Sequence, residues 1–279
     1  MSGIPPTQAP GFKTVEFTLQ VQNTTIEARA QLPEGPVRPG VLLPILQGLS
    51  NSMTDLAVLG ASRLGEQLSC REGCGACCRQ AVPIAPVEAR AIAEWLDTQP
   101  DERRTVLRER FREAAARLED SGIAQQLRQA GPSAGREQMH ELGLRYFALG
   151  IPCPFLEEER CTIHEIRPLR CREYLVVSPA EHCAHPRTKQ IVGVRPPVLL
   201  SRILAQWDAN GDSRPRALIL LTMLEEWLAN HPAADDRPHR TSPELLHEFL
   251  RAFAENAEDT PSDPRMDPRV VPYTFPTDG

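Results

Sequence analysis

The stretch CREGCGACCRQ, residues 70–80, places four thiols within nine residues, with glycines between them and Arg71 and Arg79 close by. Cys74 and Cys77 enclose Gly75 and Ala76, small residues that allow the tight turn by which a C-x2-C pair points both sulfurs at one metal. Neighbouring side chains tend to diverge, so Cys78 is expected to serve a second metal, a different iron, or the core. The chain has eight cysteines, and the other four, Cys153, Cys161, Cys171 and Cys183, fall in one later segment. Two groups of four need a common explanation, which makes a loop-rich cysteine centre the organising feature of the fold.

Outside these groups the pattern is mostly helical. Apolar residues make up 41% of the 279 positions and aromatics 5%, which suits a soluble Ala/Leu-rich helical protein. Val15, Phe17, Leu19 and Val21 alternate with polar residues, as do Ile26, Ala28, Ala30 and Leu32 after the polar QNTT, so a β-hairpin is expected at the N-terminus. From Leu42 the apolar spacing becomes helical through Leu46, Leu49 and Met53. Pro86 is placed as the first residue of a helix over PVEARAIAEWLD. A second follows over DERRTVLRERFREAAARLED with a stop at Gly122, and a third over GREQMHELGLRYFAL. Beyond Cys183, PPVLLSRILAQWDA, PRALILLTMLEEWLAN and SPELLHEFLRAFAE predict three more, the last with Ser242 as N-cap and Pro243 at its first position. The fold class expected is mainly α-helical, with a small N-terminal β-hairpin and a loop-rich metal centre. Its parts are a hairpin and linker (1–36), a cysteine-cluster metal-binding domain (37–186), a C-terminal helical region (187–256) and a proline-rich tail (257–279).

The net charge of −6 argues against a nucleic-acid surface spread over the chain, and no run approaches the roughly 18 apolar residues of a membrane span. MSGIPPTQAPGF contains no basic segment followed by an apolar run, so a cytoplasmic protein is expected. In a reducing compartment, grouped cysteines point to metal ligands or redox chemistry rather than disulfides. Four thiolates on one zinc carry a net charge of about −2, which needs compensation. Arg71, Arg79, Arg160, Arg167, Arg170 and Arg172 lie near the thiols and are candidates to provide it. His164, His182 and His185 are expected to stand outside the ligand set, since thiols suffice. The C-x3-C-x2-C spacing is also that of radical S-adenosylmethionine enzymes, but the helices lack the alternating strand–helix pattern of their barrel. Neither a glycine-rich nucleotide turn nor a Ser/His/Asp signature is present.

The C-x3-C-x2-C-C cluster, followed by CPFL, a C-x-I step and RPLRCR, resembles the YkgJ-type cysteine-cluster family, associated with zinc or iron chelation. The resemblance runs from Cys70 to about Cys183. It implies metal ligation by Cys70, Cys74, Cys77, Cys78, Cys153, Cys161 and Cys171, with Cys183 as the eighth, and departs from the family at His164, where an aromatic residue is expected. The family is similar to the cysteine-rich part of flagellin lysine N-methylases, for which an iron-sulfur cluster and S-adenosylmethionine-dependent methyl transfer are implied. The expected cofactor is therefore an iron-sulfur cluster, with zinc as the alternative and S-adenosylmethionine only under the methylase reading. Beyond the metal, the partner class left open is a protein partner or substrate, and no reaction is assigned.

Overall fold

Opposed residues of an antiparallel pair share one face, and this turns two alternating segments into a ribbon with an apolar side. β1 (Phe12–Val21) pairs with β2 (Thr24–Pro33), setting Val15 opposite Ala30, Phe17 opposite Ala28 and Leu19 opposite Ile26. The structure is a computed structural model that describes residues 11–21, 24–130, 135–207, 219–231, 240–258 and 271–273. After β3 (Pro36–Val37) and the long helix α1 (Leu43–Arg63), the first cysteine loop leads to β4 (Pro83–Ile84) and to α2 (Pro86–Asp97). Helices α3 (Asp101–Asp120), α4 (Ile123–Ala130) and α5 (Arg136–Ala148) then separate the two cysteine segments.

The second segment is built from very short elements: β5 (Leu156–Glu157), β6 (Arg160–Cys161), the single-turn helix α6 (Leu169–Arg172), β7 (Leu175–Val176) and β8 (Ile191–Val194). It is followed by α7 (Leu200–Trp207), β9 (Ile219–Leu220), α8 (Leu224–Asn230), β10 (Arg240–Thr241), α9 (Ser242–Glu258) and β11 (Val271–Tyr273). The chain is mainly helical with a small N-terminal hairpin, as its periodicity requires. Most of the expected tail, 257–279, lies outside the described residues, but Val271–Tyr273 within it pair antiparallel with β8.

Two apolar clusters position the cysteine loops. One joins the hairpin to α1, α7 and α9 through Leu19, Leu32, Leu46, Met53, Leu204 and Phe249, and it takes in Leu169 from α6. The other packs α2 and α3 around Phe155, which lies edge-on to Trp95 at 5.9 Å and to Phe111 at 5.3 Å. Phe155 follows Cys153 by two residues, so core packing anchors the second cysteine segment directly.

Two local expectations are corrected. PRALILLTMLEEWLAN (215–230) is not one helix: residues 215–218 lie outside the described residues, Ile219 and Leu220 form β9 against β4, and the helix begins at Leu224. Ile219, Leu220 and Leu221 are all buried, and a run without a polar face carries no period that tells strand from helix. The pairing also satisfies backbone groups beside the first cysteine loop, with Leu221 N donating to Val82 O over 2.9 Å. At the start of α9 the cap is Thr241 rather than Ser242. Thr241 N and Oγ1 donate to Glu244 Oε2 at 2.9 and 2.8 Å, while the Ser242 hydroxyl is used to tie the helix to Pro33 O at 2.8 Å.

Phe249 is fully buried and edge-on to Trp207 at 5.8 Å. Phe249→Ala is predicted to cost about 3–5 kcal/mol of stability. Val106→Ala, at a position 44% exposed, should change it by less than about 0.5 kcal/mol. Urea denaturation of both variants at equal metal load checks the contrast.

Candidate metal centre

The first cysteine segment is laid down by backbone bonds to β7. Ser69 N donates to Val176 O at 2.9 Å, the Ser69 hydroxyl to Val177 O at 3.2 Å, and Val176 N to the Cys70 sulfur at 3.4 Å. Gly73 adopts φ = 78°, a backbone region that favours glycine, and lets the chain turn so that Cys74 N reaches Arg71 O at 3.2 Å. Cys77 and Cys78 then sit on a 3-10 turn, Ala76–Arg79.

The second segment docks onto that turn. Cys153 N donates to Cys78 O over 2.7 Å, joining loops that α2 to α5 separate in the chain. Cys161 lies on the β5–β6 hairpin, whose two-residue turn, Glu158 and Glu159, has φ of 49° and 60°. Both φ values are positive, as a tight hairpin of this hand requires, although neither residue is the glycine or asparagine usually found there. The first loop presses against this turn at Gly75, where an added Cβ would lie 2.8 Å from Leu156 Cδ1 and 3.1 Å from Glu159 Cα. Arg79 closes the contact, donating to Glu159 Oε2 at 3.0 Å and to Gly75 O at 2.9 Å.

Cys171 is carried by α6, which buried carboxylates hold at both ends. Glu88 accepts from Leu169 N at 2.7 Å and from Ala85 N at 2.9 Å, so one side chain binds the starts of α2 and α6. Glu173 accepts from Ser201 N at 2.8 Å and from the Ser201 hydroxyl at the start of α7. Its burial raises the carboxyl above its ordinary pKa. Cys183 sits on a second 3-10 turn, Ala180–Ala184, which packs against Ala76–Arg79. It shares a small apolar cluster with Val176 and Ile191, flanked by Cys70, Ala76 and Tyr174.

Both cysteine groups therefore converge. All eight thiols are free, Cys183 buried and the other seven half-buried. Among the described residues, no three Cys, His, Asp or Glu side chains are grouped closely enough to hold a metal ion as they stand. Burial pushes Cys153 up to about 12 and Cys183 up to about 11, and raises Cys70, Cys161 and Cys171 as well. Cys77 and Cys78 behave as a pair: the interaction of the two neighbouring thiols holds Cys77 down to about 7 and drives Cys78 upward. Arg167 is the cation that favours the thiolates of Cys70, Cys77 and Cys161. Its Nε is buried with no hydrogen-bond partner among the described residues, a donor left available to an anionic centre.

The donor set fits a thiophilic metal, since thiolates suit zinc and iron-sulfur centres alike. Residues 69–188 match the CxxCxxCC family, described as "Putative zinc- or iron-chelating domain". The match covers under half of the chain and makes that segment similar to this cysteine-cluster family. No curated protein and no solved structure matches the chain. The CxxCxxCC domain contains every cysteine of the chain.

Within the domain, the arginines singled out from the sequence have different tasks. Arg167 faces the thiols, Arg79 locks the two loops through Glu159, and Arg160 meets Glu72 in an exposed pair at 3.6 Å. Arg172 is 6% exposed and donates to Asn51 Oδ1 at 3.1 Å, Arg167 O at 3.1 Å and Glu165 O, so it fastens the loop before α6 to α1 as well as offsetting thiolate charge. His164 is exposed with its Nε2 2.6 Å from Arg167 Nη1, and His182 Nδ1 is 2.7 Å from Gln190 O. Glu88, Glu159, Glu173 and Tyr174 are additions that sequence reasoning did not single out, and Gly75, read there only for the tight turn, gains its contact with the β5–β6 hairpin. The buried Tyr174 hydroxyl lies beside Gln80 and Cys183 without a well-formed hydrogen bond to either.

Gly75→Ala is predicted to cost about 1–3 kcal/mol by forcing the β5–β6 turn away from the first loop, and to weaken metal retention in the same protein. Chelator competition measures the second effect. For the metal-free, reduced protein, Cys153 and Cys183 are raised above the ~8.5 of an unfolded thiol. Their contribution to stability is therefore intact below about pH 8.5 and lost as pH climbs through 11 and 12. Cys77, held down to about 7, contributes in the opposite sense, losing its share as pH falls through 7. Urea midpoints measured from about pH 7 to 11 should fall on the alkaline side without metal and stay level with it, because the bound form is already the thiolate.

Proposed function

We propose that the protein holds an iron-sulfur centre through cysteine thiolates, with Cys70, Cys74, Cys77, Cys78, Cys153, Cys161, Cys171 and Cys183 as the ligand set. The observation that carries this reading is the bond from Cys153 N to Cys78 O, which brings the two cysteine groups together beside Arg167. Vicinal Cys77 and Cys78 after a C-x3-C-x2-C run favour a polynuclear centre over an isolated zinc, whose four-thiolate sites use spaced pairs. When bound, such a centre supplies one-electron transfer.

The chain's own residues supply the rest. Arg167 offsets thiolate charge, while the Arg79–Glu159 contact and Phe155 keep the two loops closed around the sulfurs. Reduced thiols in this number suit a reducing compartment, and we place the protein in the cytoplasm on that ground.

Isolation without oxygen tests the reading. Iron and acid-labile sulfide should copurify with the protein, with the broad visible absorption of thiolate-ligated iron. Cys77→Ser should lower the content of both. Arg167→Gln should weaken metal retention by about 10- to 100-fold, as is typical for groups that support metal ligands. Stoichiometric zinc without iron would replace the cluster by a zinc site. Metal-free protein whose stability is unaffected by Cys77→Ser would overturn thiolate ligation altogether.

A further inference from the structure

Eight thiols make two four-ligand sets or one set with a surplus, and the packing distinguishes these. Cys70 and Cys183 belong to the small apolar cluster of Val176 and Ile191. Cys153 and Cys161 pack against a different one, formed by α2, α3, Phe155 and Ile163. The 3-10 turn Ala76–Arg79 touches the first cluster through Ala76 and the second cysteine segment through Cys78 O. Successive residues leave such a turn about 120° apart around its axis, so Cys77 and Cys78 start from different sides of it. The turn meets the Ala180–Ala184 turn that carries Cys183. Separately, Cys78 O accepts from Cys153 N.

The remaining two thiols follow their supports. Cys74 closes the turn that starts at Arg71, directly after Cys70. Cys171 sits on α6, which Glu88 fastens to the start of α2, and it lies close enough to feel the charges of Cys153 and Cys161.

Resting on the thiolate reading above, we propose that the chain holds two metal centres, one on Cys70, Cys74, Cys77 and Cys183 and the other on Cys78, Cys153, Cys161 and Cys171, with the thiols of each set drawing together as the metal binds. Each centre takes three ligands from one segment and one from the other, so each cross-links the two segments independently. The centres abut through the neighbouring Cys77 and Cys78, which places them close enough to share the charge of Arg167.

Cobalt(II) titration of the reduced, metal-free, full-length protein under anaerobic conditions tests this, because thiolate-to-cobalt absorption counts occupied sites whichever metal is native. The wild-type chain should saturate at two equivalents. The Cys70→Ser/Cys183→Ser variant should retain one full equivalent, as should Cys153→Ser/Cys161→Ser, and the variant combining all four substitutions should retain none. Saturation of the wild-type chain at one equivalent overturns the proposal, as does loss of both equivalents together from either paired variant. The wild-type count decides by itself if a variant fails to keep its helical circular dichroism. A wild-type chain that takes up no cobalt fails at the earlier step, removing thiolate ligation itself and the two centres with it.

Discussion

Cys153 N reaches Cys78 O over 2.7 Å, and this contact sets the chemistry of everything around it. It forces two groups of acidic, oxidisable side chains into one partly buried region. Burial raises the thiol pKa values on both sides of the contact, while the Cys77–Cys78 pair favours a single thiolate at its centre. Desolvated anions need partners, and Arg167 by itself cannot balance more than a fraction of eight thiolates. A divalent or polynuclear metal supplies the missing positive charge, and its binding energy is then also energy that holds the two segments together.

The scaffold around the contact is made mostly of buried polar ties rather than long elements. Glu88 and Glu173 satisfy the backbone groups of three helix starts, and Arg172 bridges the loop before α6 to α1. Each of these groups is buried and hydrogen-bonded, and removing one partner would strand the other away from water. The short strands β5 to β8 have little packing of their own. They keep their positions because these ties and the aromatic cluster at Phe155 fix both ends of the segment.

Where local periodicity decides structure, the sequence was readable. The hairpin followed from alternation through Val15, Phe17 and Leu19, and the helices from the spacing after Leu42 and Pro86. It failed where an apolar run lacked a polar face, at Ile219 to Leu221, and where a hydroxyl had a distant partner, at Ser242. The metal centre was legible as a composition of thiols because C-x3-C-x2-C-C is local. The tie made by Glu88 was not, and Gly75 was legible only as part of the tight turn, since a bond to Leu169 and a close approach to Glu159 exist only once remote segments meet. Arg172 was read for its charge, and the structure adds that it is also a buried clamp.

X-ray absorption at the metal edge of anaerobically isolated protein tests the central claim most directly, because it reports the atoms bonded to the metal. The account predicts a first shell of sulfur alone, with a second metal atom visible beyond it in the iron form. A first shell dominated by nitrogen or oxygen would contradict it, since the metal would then be held by groups other than these thiols.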